Sequence, residues 1–347
     1  MLTTRSLNRT LLKRQHLLER AAVPALEMVE HLVGLQAQDP LPPYVGLWAR
    51  LDGFEPDDLS ELLETRKASR ILLMRGTIHL VSAADCLGIR PLLQVTLDRL
   101  MRGTQFLWHC EDIPPGELTA AARDVLGPDP VNVKTLGAAL AERFPGHEPG
   151  HLANTVRLRL PLVQAPPRGV WKQGGGPSYV HAADWHGRAP EPFEVEELVR
   201  RYLRAFGPAT AADLTAWSGM VGVRAVLDRM RDELVEHRDE NGRLLLDLPG
   251  QPIADGDEPA PVRLLGKYDN LWLSHADRTR VAEPEKRQRW MGRNGGVGNT
   301  VFVDGKLEGR WQQVDGHVEL DLWRSLTKVE RAELDTEVAR LEDFLAR

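Results

Sequence analysis

Cysteine is scarce in this chain. Cys86 and Cys110 are the only two among 347 residues, and no C-x-x-C spacing exists, so neither a disulfide framework nor a thiolate zinc site is supported and both read as small core residues. No run of about 18 apolar residues occurs, which excludes a membrane-spanning helix. The N-terminus, Met1 to Arg9, passes into an amphipathic pattern rather than a signal-peptide apolar region, and the expected location is the cytoplasm. A basic excess is missing as well: 44 Lys and Arg face 50 Asp and Glu, a net charge of -6, whereas nucleic-acid binders usually carry positive charge to neutralise phosphates.

Motifs for bound groups are equally thin. No G-x-G-x-x-G follows a strand, and the pairs Gly266-Lys267 and Gly305-Lys306 continue with Tyr268 and Leu307 instead of Ser or Thr, so no phosphate cradle for a nucleotide is expected. His147-Glu148-Pro149-Gly150-His151 matches the H-E-x-x-H string of zinc peptidases, but that site needs one continuous helix, which Pro149-Gly150 defeats. The segment reads as a turn entering a helix, and no metal or cofactor is expected.

Charge is unevenly spread. Acid concentrates in Glu191 to Glu197 and Glu233 to Glu258, while Arg157, Arg159, Arg168 and Lys172 form one basic stretch. Arg278, Arg280, Lys286, Arg287, Arg289 and Arg293 form another, the last three within a flexible basic loop, Arg287 to Asn299, that is glycine-rich from Gly292 to Gly298. A slightly acidic protein can own a basic groove; scattered solvated charge is the other reading.

The middle of the chain repeats one supersecondary plan. Phe193 to Phe206 carries apolar residues at helical spacing and stops at Gly207-Pro208. Short helices follow at Ala212 to Trp217 and Val221 to Met230, then a hairpin flanks Asn241-Gly242, a pair that readily takes positive φ. Helix, helix-turn-helix, hairpin is the winged-helix plan. A similar order runs from Glu117 to Val180, with a hairpin of Leu162 to Ala165 and Ser178 to Val180. A third, less regular copy has helices at Arg5 to Arg20, Pro24 to Gln36 and Pro56 to Arg66, then a strand pair or one long strand over Ile71 to Val81. Past a Pro, Asp and Gly-rich linker, Thr300 to Leu322 reads as a meander turning at Asp304-Gly305 and Asp315-Gly316, before a helix from Lys328 to Leu345. The expected class is α+β, mainly helical: winged-helix units at 1–112, 113–190 and 191–250, then a β-meander and terminal helix over 258–347.

Gly34-Leu35-Gln36-Ala37-Gln38-Asp39-Pro40 stands apart. Pro40 pushes Asp39 out of the helical region. In a regular helix Gln36 and Gln38 point about 200° apart, but in an unwinding terminus or an extended segment they face the same side. Two convergent amides can orient one water through lone pairs and hydrogens together; the other reading is of polar residues finishing a helix.

Four blocks now combine: Leu35 to Pro40; Met74-Arg75-Gly76-Thr77-Ile78-His79-Leu80; Leu264 to Arg278; and Val301-Phe302-Val303-Asp304-Gly305. Together, in order and over nearly the whole chain, they resemble the AlkZ-type family of bacterial DNA glycosylases. The resemblance implies tandem winged-helix domains and a Gln-apolar-Gln signature, matched by Gln36-Ala37-Gln38; a sister group has Asp at the second position. It implies monofunctional hydrolysis of the bond between deoxyribose and an alkylated purine, bulky N7 adducts and interstrand crosslinks included, by a cytoplasmic, nucleoid-associated monomer whose partner is damaged duplex DNA. Some members protect antibiotic producers from their own alkylating product. Gln36 and Gln38 become the catalytic candidates, and the two basic stretches become the DNA-binding ones. Asp39 is adjacent and chemically the better base, yet its place before Pro40 can turn it away. Thr77 and His79 recur in the family's pattern as secondary site residues, although His79 also fits a plain strand core. The alternative from another class is a non-catalytic winged-helix DNA-binding regulator whose glutamines are structural. No lysine adjoins the glutamines in sequence, so Schiff-base lyase chemistry is not indicated.

Overall fold

The computed structural model describes residues 1–291 and 298–347. Helices and antiparallel strands alternate along the chain. The strands are β1 (Leu35–Gln36), β2 (Ala68–Leu72), β3 (Ile78–Ser82), β4 (Val131–Asn132), β5 (Leu162–Gln164), β6 (Ser178–His181), β7 (Val235–Arg238), β8 (Leu244–Asp247), β9 (Arg263–Leu265), β10 (Asn299–Val303), β11 (Lys306–Val314) and β12 (His317–Leu322). Among the described residues they form a six-stranded sheet in the order β1-β3-β2-β5-β6-β4, a four-stranded sheet β12-β11-β10-β9, and the hairpin β7-β8.

The first unit departs from the sequence expectation at both helix ends. Helix Thr4–Arg14 starts at Thr3, whose side chain accepts from the Ser6 amide, and stops before His16, at φ 54°. The next helix ends at His31 instead of running to Gln36, because Val33 (φ 53°) and Gly34 (φ 91°) turn the chain. A Cβ on Gly34 would sit 2.8 Å from the Leu80 carbonyl oxygen, so only glycine lets the backbone reach the sheet here. The apolar run Ile71 to Val81 is a strand pair, broken by Arg75 and Gly76 at φ 55° and 69°.

The second unit has helices Pro115–Val125, Val133–Arg143 and Pro149–Arg159 and its own apolar core, including Leu118, Leu136, Leu140, Leu152 and Val156. His147 precedes the last of these helices and His151 lies in its first turn, as the Pro149-Gly150 reading expects. Its hairpin is not isolated. Arg70 and Ile71 of β2 pair with Gln164 and Val163 of β5, so one ladder links segments on either side of the boundary expected between 112 and 113.

In helix Val195–Phe206, Leu198, Val199, Tyr202, Leu203 and Phe206 are buried. Helix Ala211–Ser218 begins in a reciprocal cap between Thr210 and Asp213 and ends at Gly219, φ 80°. After Val223–Arg229 the hairpin β7-β8 turns through Asn241-Gly242, with the Asp239 carboxylate accepting from the Asn241 and Arg243 amides. The meander turns at Asp304-Gly305 and Asp315-Gly316, all four residues at positive φ.

Buried ion pairs fasten distant parts. Arg14 binds Asp247 at 2.7 Å, and Arg50 binds both oxygens of Asp269 at 2.7 and 2.8 Å. Arg9 donates to the Asp304 carbonyl at 3.0 Å, clasping the first helix to the meander turn. No helix among the described residues is long and apolar enough to cross a membrane.

Candidate active site

The Gln-Ala-Gln segment continues the strand to Ala37 and bends at Gln38. Leu35 and Gln36 pair with Leu80 and His79, and the Ala37 amide donates to the Ile78 carbonyl at 2.7 Å. Leu35, Gln36 and Ala37 are all buried, and Gln38 beyond them is exposed.

Each amide oxygen is held by a protein donor. Gln36 Oε1 accepts from Arg75 Nη2 at 2.9 Å, and the exposed Gln38 accepts through Oε1 from the Ile78 amide at 3.2 Å. The Ala37 carbonyl between them accepts from buried Arg70 at 2.8 Å. Held so, each glutamine keeps a second lone pair on oxygen and the hydrogens of Nε2 for a water or a sugar.

Thr77 caps its turn by donating to the Met74 carbonyl at 3.1 Å. His79 is 1% exposed. Burial, with Arg75 beside it, pulls its pKa down to about 3. The neutral ring places Nδ1 3.0 Å from the Thr77 carbonyl, which makes Nδ1 the protonated nitrogen and leaves Nε2 as acceptor, 3.4 Å from Arg75 Nη2. Asp39 is half exposed, and its Oδ2 lies 3.4 Å from Lys267 Nζ. A lysine thus reaches the motif after all, brought from a distant segment that adjacency in sequence does not reveal. Asp39, Pro40 and Lys267 also border a cavity of about 540 Å³ walled by Tyr44, Trp171 and Trp311. Among the described residues no group of His, Cys, Asp and Glu side chains is placed to hold a metal.

A family model described as DNA glycosylase AlkZ-like matches residues 29–344, which include every residue of this constellation. The chain belongs to this family. A Streptomyces sahachiroi protein named interstrand DNA cross-link repair glycosylase is 26% identical over 321 residues, 88% of this chain and 86% of the relative. The solved structure of Streptomyces sahachiroi DNA glycosylase AlkZ aligns with a TM-score of 0.80 at 23% identity, covering 99% of this chain and 98% of that one. This AlkZ-like chain is accordingly a DNA N-glycosylase.

The basic residues of the AlkZ-like chain divide by environment. Arg157 donates to the Tyr179 hydroxyl at 3.1 Å, Arg168 to the Gly175 carbonyl at 3.2 Å, and Lys172 to the Ala346 carbonyl at 2.9 Å, near the end of the terminal helix. Arg159 is partly buried, which lowers its pKa. Arg289 is exposed and pairs with Asp321. Arg280 is 6% exposed, with Asp213 and Tyr202 around it and its guanidinium 3.4 Å from the Pro208 carbonyl. That position gives Arg280 no face for a phosphate, contrary to the sequence expectation. Arg293 lies outside the described residues. Arg278 and Arg287 are the informative pair: burial and the field of Arg278 lower the pKa of Arg75, while burial and the field of Arg287 lower that of Arg278. The second basic stretch thus approaches the glutamine motif. Arg70, Arg75 and Lys267 were missed as site residues; for the first two the local signal was a charge within the apolar strands and turn of 68–81, and for Lys267 there was none.

Proposed function

We propose that this glycosylase hydrolyses N7-alkylated purines from duplex DNA through Gln36 and Gln38. The observation that carries the reading is the pair of amides flanking Ala37 at the end of β1, each anchored by a protein N–H, with the adjacent carboxylate, Asp39, matched to Lys267. An N7-alkylated purine already bears positive charge. When C1′–N9 breaks, the electron pair goes to N9 and neutralises that charge, so no strong general acid is required, and the sugar develops oxocarbenium character. Water bonds to C1′ and its proton passes to solvent. The amides orient this water and set dipoles beside the cation.

Three winged-helix units, 1–112, 113–190 and 191–250, followed by the meander region 258–347, frame a basic channel in this reading; the repeated helix, helix, hairpin order supports it. Bulky adducts and interstrand crosslinks are within the proposed substrate range, as the name of the Streptomyces relative suggests, and protection from a DNA-alkylating antibiotic is a compatible role. The protein acts as a monomer on nucleoid DNA. The test is base release from an N7-methylguanine duplex under single-turnover conditions. Gln36→Ala and Gln38→Ala should each slow release by about ten- to a thousand-fold with DNA affinity unchanged. Binding without any base release by the wild-type protein would favour the non-catalytic DNA-binding regulator.

A further inference from the structure

The geometry points to Arg75 as a positioning residue that fixes the amide of Gln36 for catalysis. This rests on the catalytic reading of Gln36. Arg75 sits in the turn between β2 and β3, in the left-handed region at φ 55° and ψ 15°, which a non-glycine residue occupies only when its surroundings hold it there. The Leu73 amide donates to the Thr77 carbonyl at 2.9 Å beneath it. On the other side lies Gly219, where a Cβ would approach the Arg75 amide nitrogen to 3.3 Å.

The guanidinium serves two ends. Nη1 donates to the Trp217 carbonyl, one of the last carbonyls of helix Ala211–Ser218, where helix polarity favours a cation. Nη2 donates to Gln36 Oε1 at 2.9 Å, with neutral His79 3.4 Å away. Among the described residues no carboxylate pairs with Arg75. Burial lowers its pKa to about 10, so it remains charged at neutral pH.

A partly buried cation matched, among the described residues, only to a carbonyl, an amide and a neutral ring carries a desolvation cost. Capping the helix needs Nη1 alone, and Nη2 is committed to Gln36. A free glutamine amide has two flip states of similar shape. An N–H donor on Oε1 selects one of them and leaves the Nε2 hydrogens for the reacting side. Arg75 therefore ties the orientation of the catalytic amide to the seating of the third helical unit against the first.

The test is a double-mutant cycle on single-turnover excision of N7-methylguanine, with thermal melting and DNA affinity measured in parallel. Arg75→Met should slow excision by about ten- to a hundred-fold while affinity changes less than about two-fold. Arg75→Met combined with Gln36→Ala should be no slower than Gln36→Ala alone, whereas its combination with Gln38→Ala should multiply the losses. Should Arg75→Met fail to fold, the same cycle is run with Arg75→Lys, which keeps a charge for the Trp217 carbonyl but has one nitrogen for two partners; slow excision, non-additive with Gln36→Ala, is again the expected result. Wild-type rates in the Arg75 variant while Gln36→Ala is impaired, or losses at Arg75 and Gln36 that multiply, would overturn the positioning role and leave the function of Gln36 intact. A Gln36→Ala enzyme with full activity would overturn the catalytic reading itself, and this proposal with it.

Discussion

Asp39 Oδ2 and Lys267 Nζ lie 3.4 Å apart although 228 positions separate them in the chain. The carboxylate beside Gln38 is therefore drawn toward a cation on another segment. Asp39→Asn should retain excision of N7-methylguanine within about five-fold, against about ten-fold or more lost in Gln38→Ala. Single-turnover rates on one substrate compare the two; a loss in Asp39→Asn as deep as that in Gln38→Ala would identify the carboxylate as the base. Stability should hardly change, since half-exposed ion pairs contribute about 0–1 kcal/mol.

Leaving-group charge should govern the substrate range. Amides supply dipoles but no acid, so matched duplexes should release N7-methylguanine and retain uracil, whose departure needs more help. Gln38→Asp should keep activity on N7-methylguanine, because a carboxylate also orients water and faces the developing cation. Equal release of uracil and methylguanine would remove leaving-group charge from the mechanism.

Acid should destabilise the fold. His79 and His275 are buried and titrate at about 3, the first pulled down by burial and Arg75, the second by burial and Arg280. Their unfolded value is about 6.5, so below that pH the unfolded chain binds protons that the folded one refuses. Stability falls as pH drops, by about 1.4 kcal/mol per pH unit for each such histidine, and is flat above about pH 7. Melting temperature followed from pH 7 to 4.5 should decline, and more gently in His79→Gln. An unchanged slope in that variant would mean that His79 is not held neutral in the fold.

Charge removal should separate surface from core. Neutralising Arg278 and Arg287 should weaken binding to damaged and undamaged duplexes alike and flatten the salt dependence by about one unit of slope per lost phosphate contact. Arg280→Met should instead lower the melting temperature and leave the slope intact, because Arg280 faces Asp213 and Tyr202 in the interior. Titrations at several salt concentrations decide between them; a slope indifferent to Arg278 and Arg287 would place the channel elsewhere.

Local chemistry was legible where it acts over a few residues. Asp304-Gly305 and Asp315-Gly316 turn with both residues at positive φ, as their tolerance of it says they should, and Asn241-Gly242 turns with Gly242 alone there. The two glutamines were visible as a pair, and the end of the preceding helix was misplaced because Gly34 turns only to fit against Leu80, a contact no local pattern encodes. Pairing of β2 with β5 joins segments far apart in sequence, and ladder formation leaves no mark on either strand alone. Arg280 shows the same limit from the other side. A cationic run along the sequence says nothing of which member turns inward, and the interior supplied Asp213 for it.

The turn that delivers Gln36 is finished by late-made chain. Asn270 Nδ2 donates to the Gly34 carbonyl at 2.9 Å, and Arg50 in the same unit waits for Asp269. A ribosome must therefore release most of the polypeptide before the first forty residues acquire their working shape. Contacts of such long sequence separation fold slowly, since the intervening loop must close before they form. Fragments that end before residue 269 would carry both glutamines in writing but not in position.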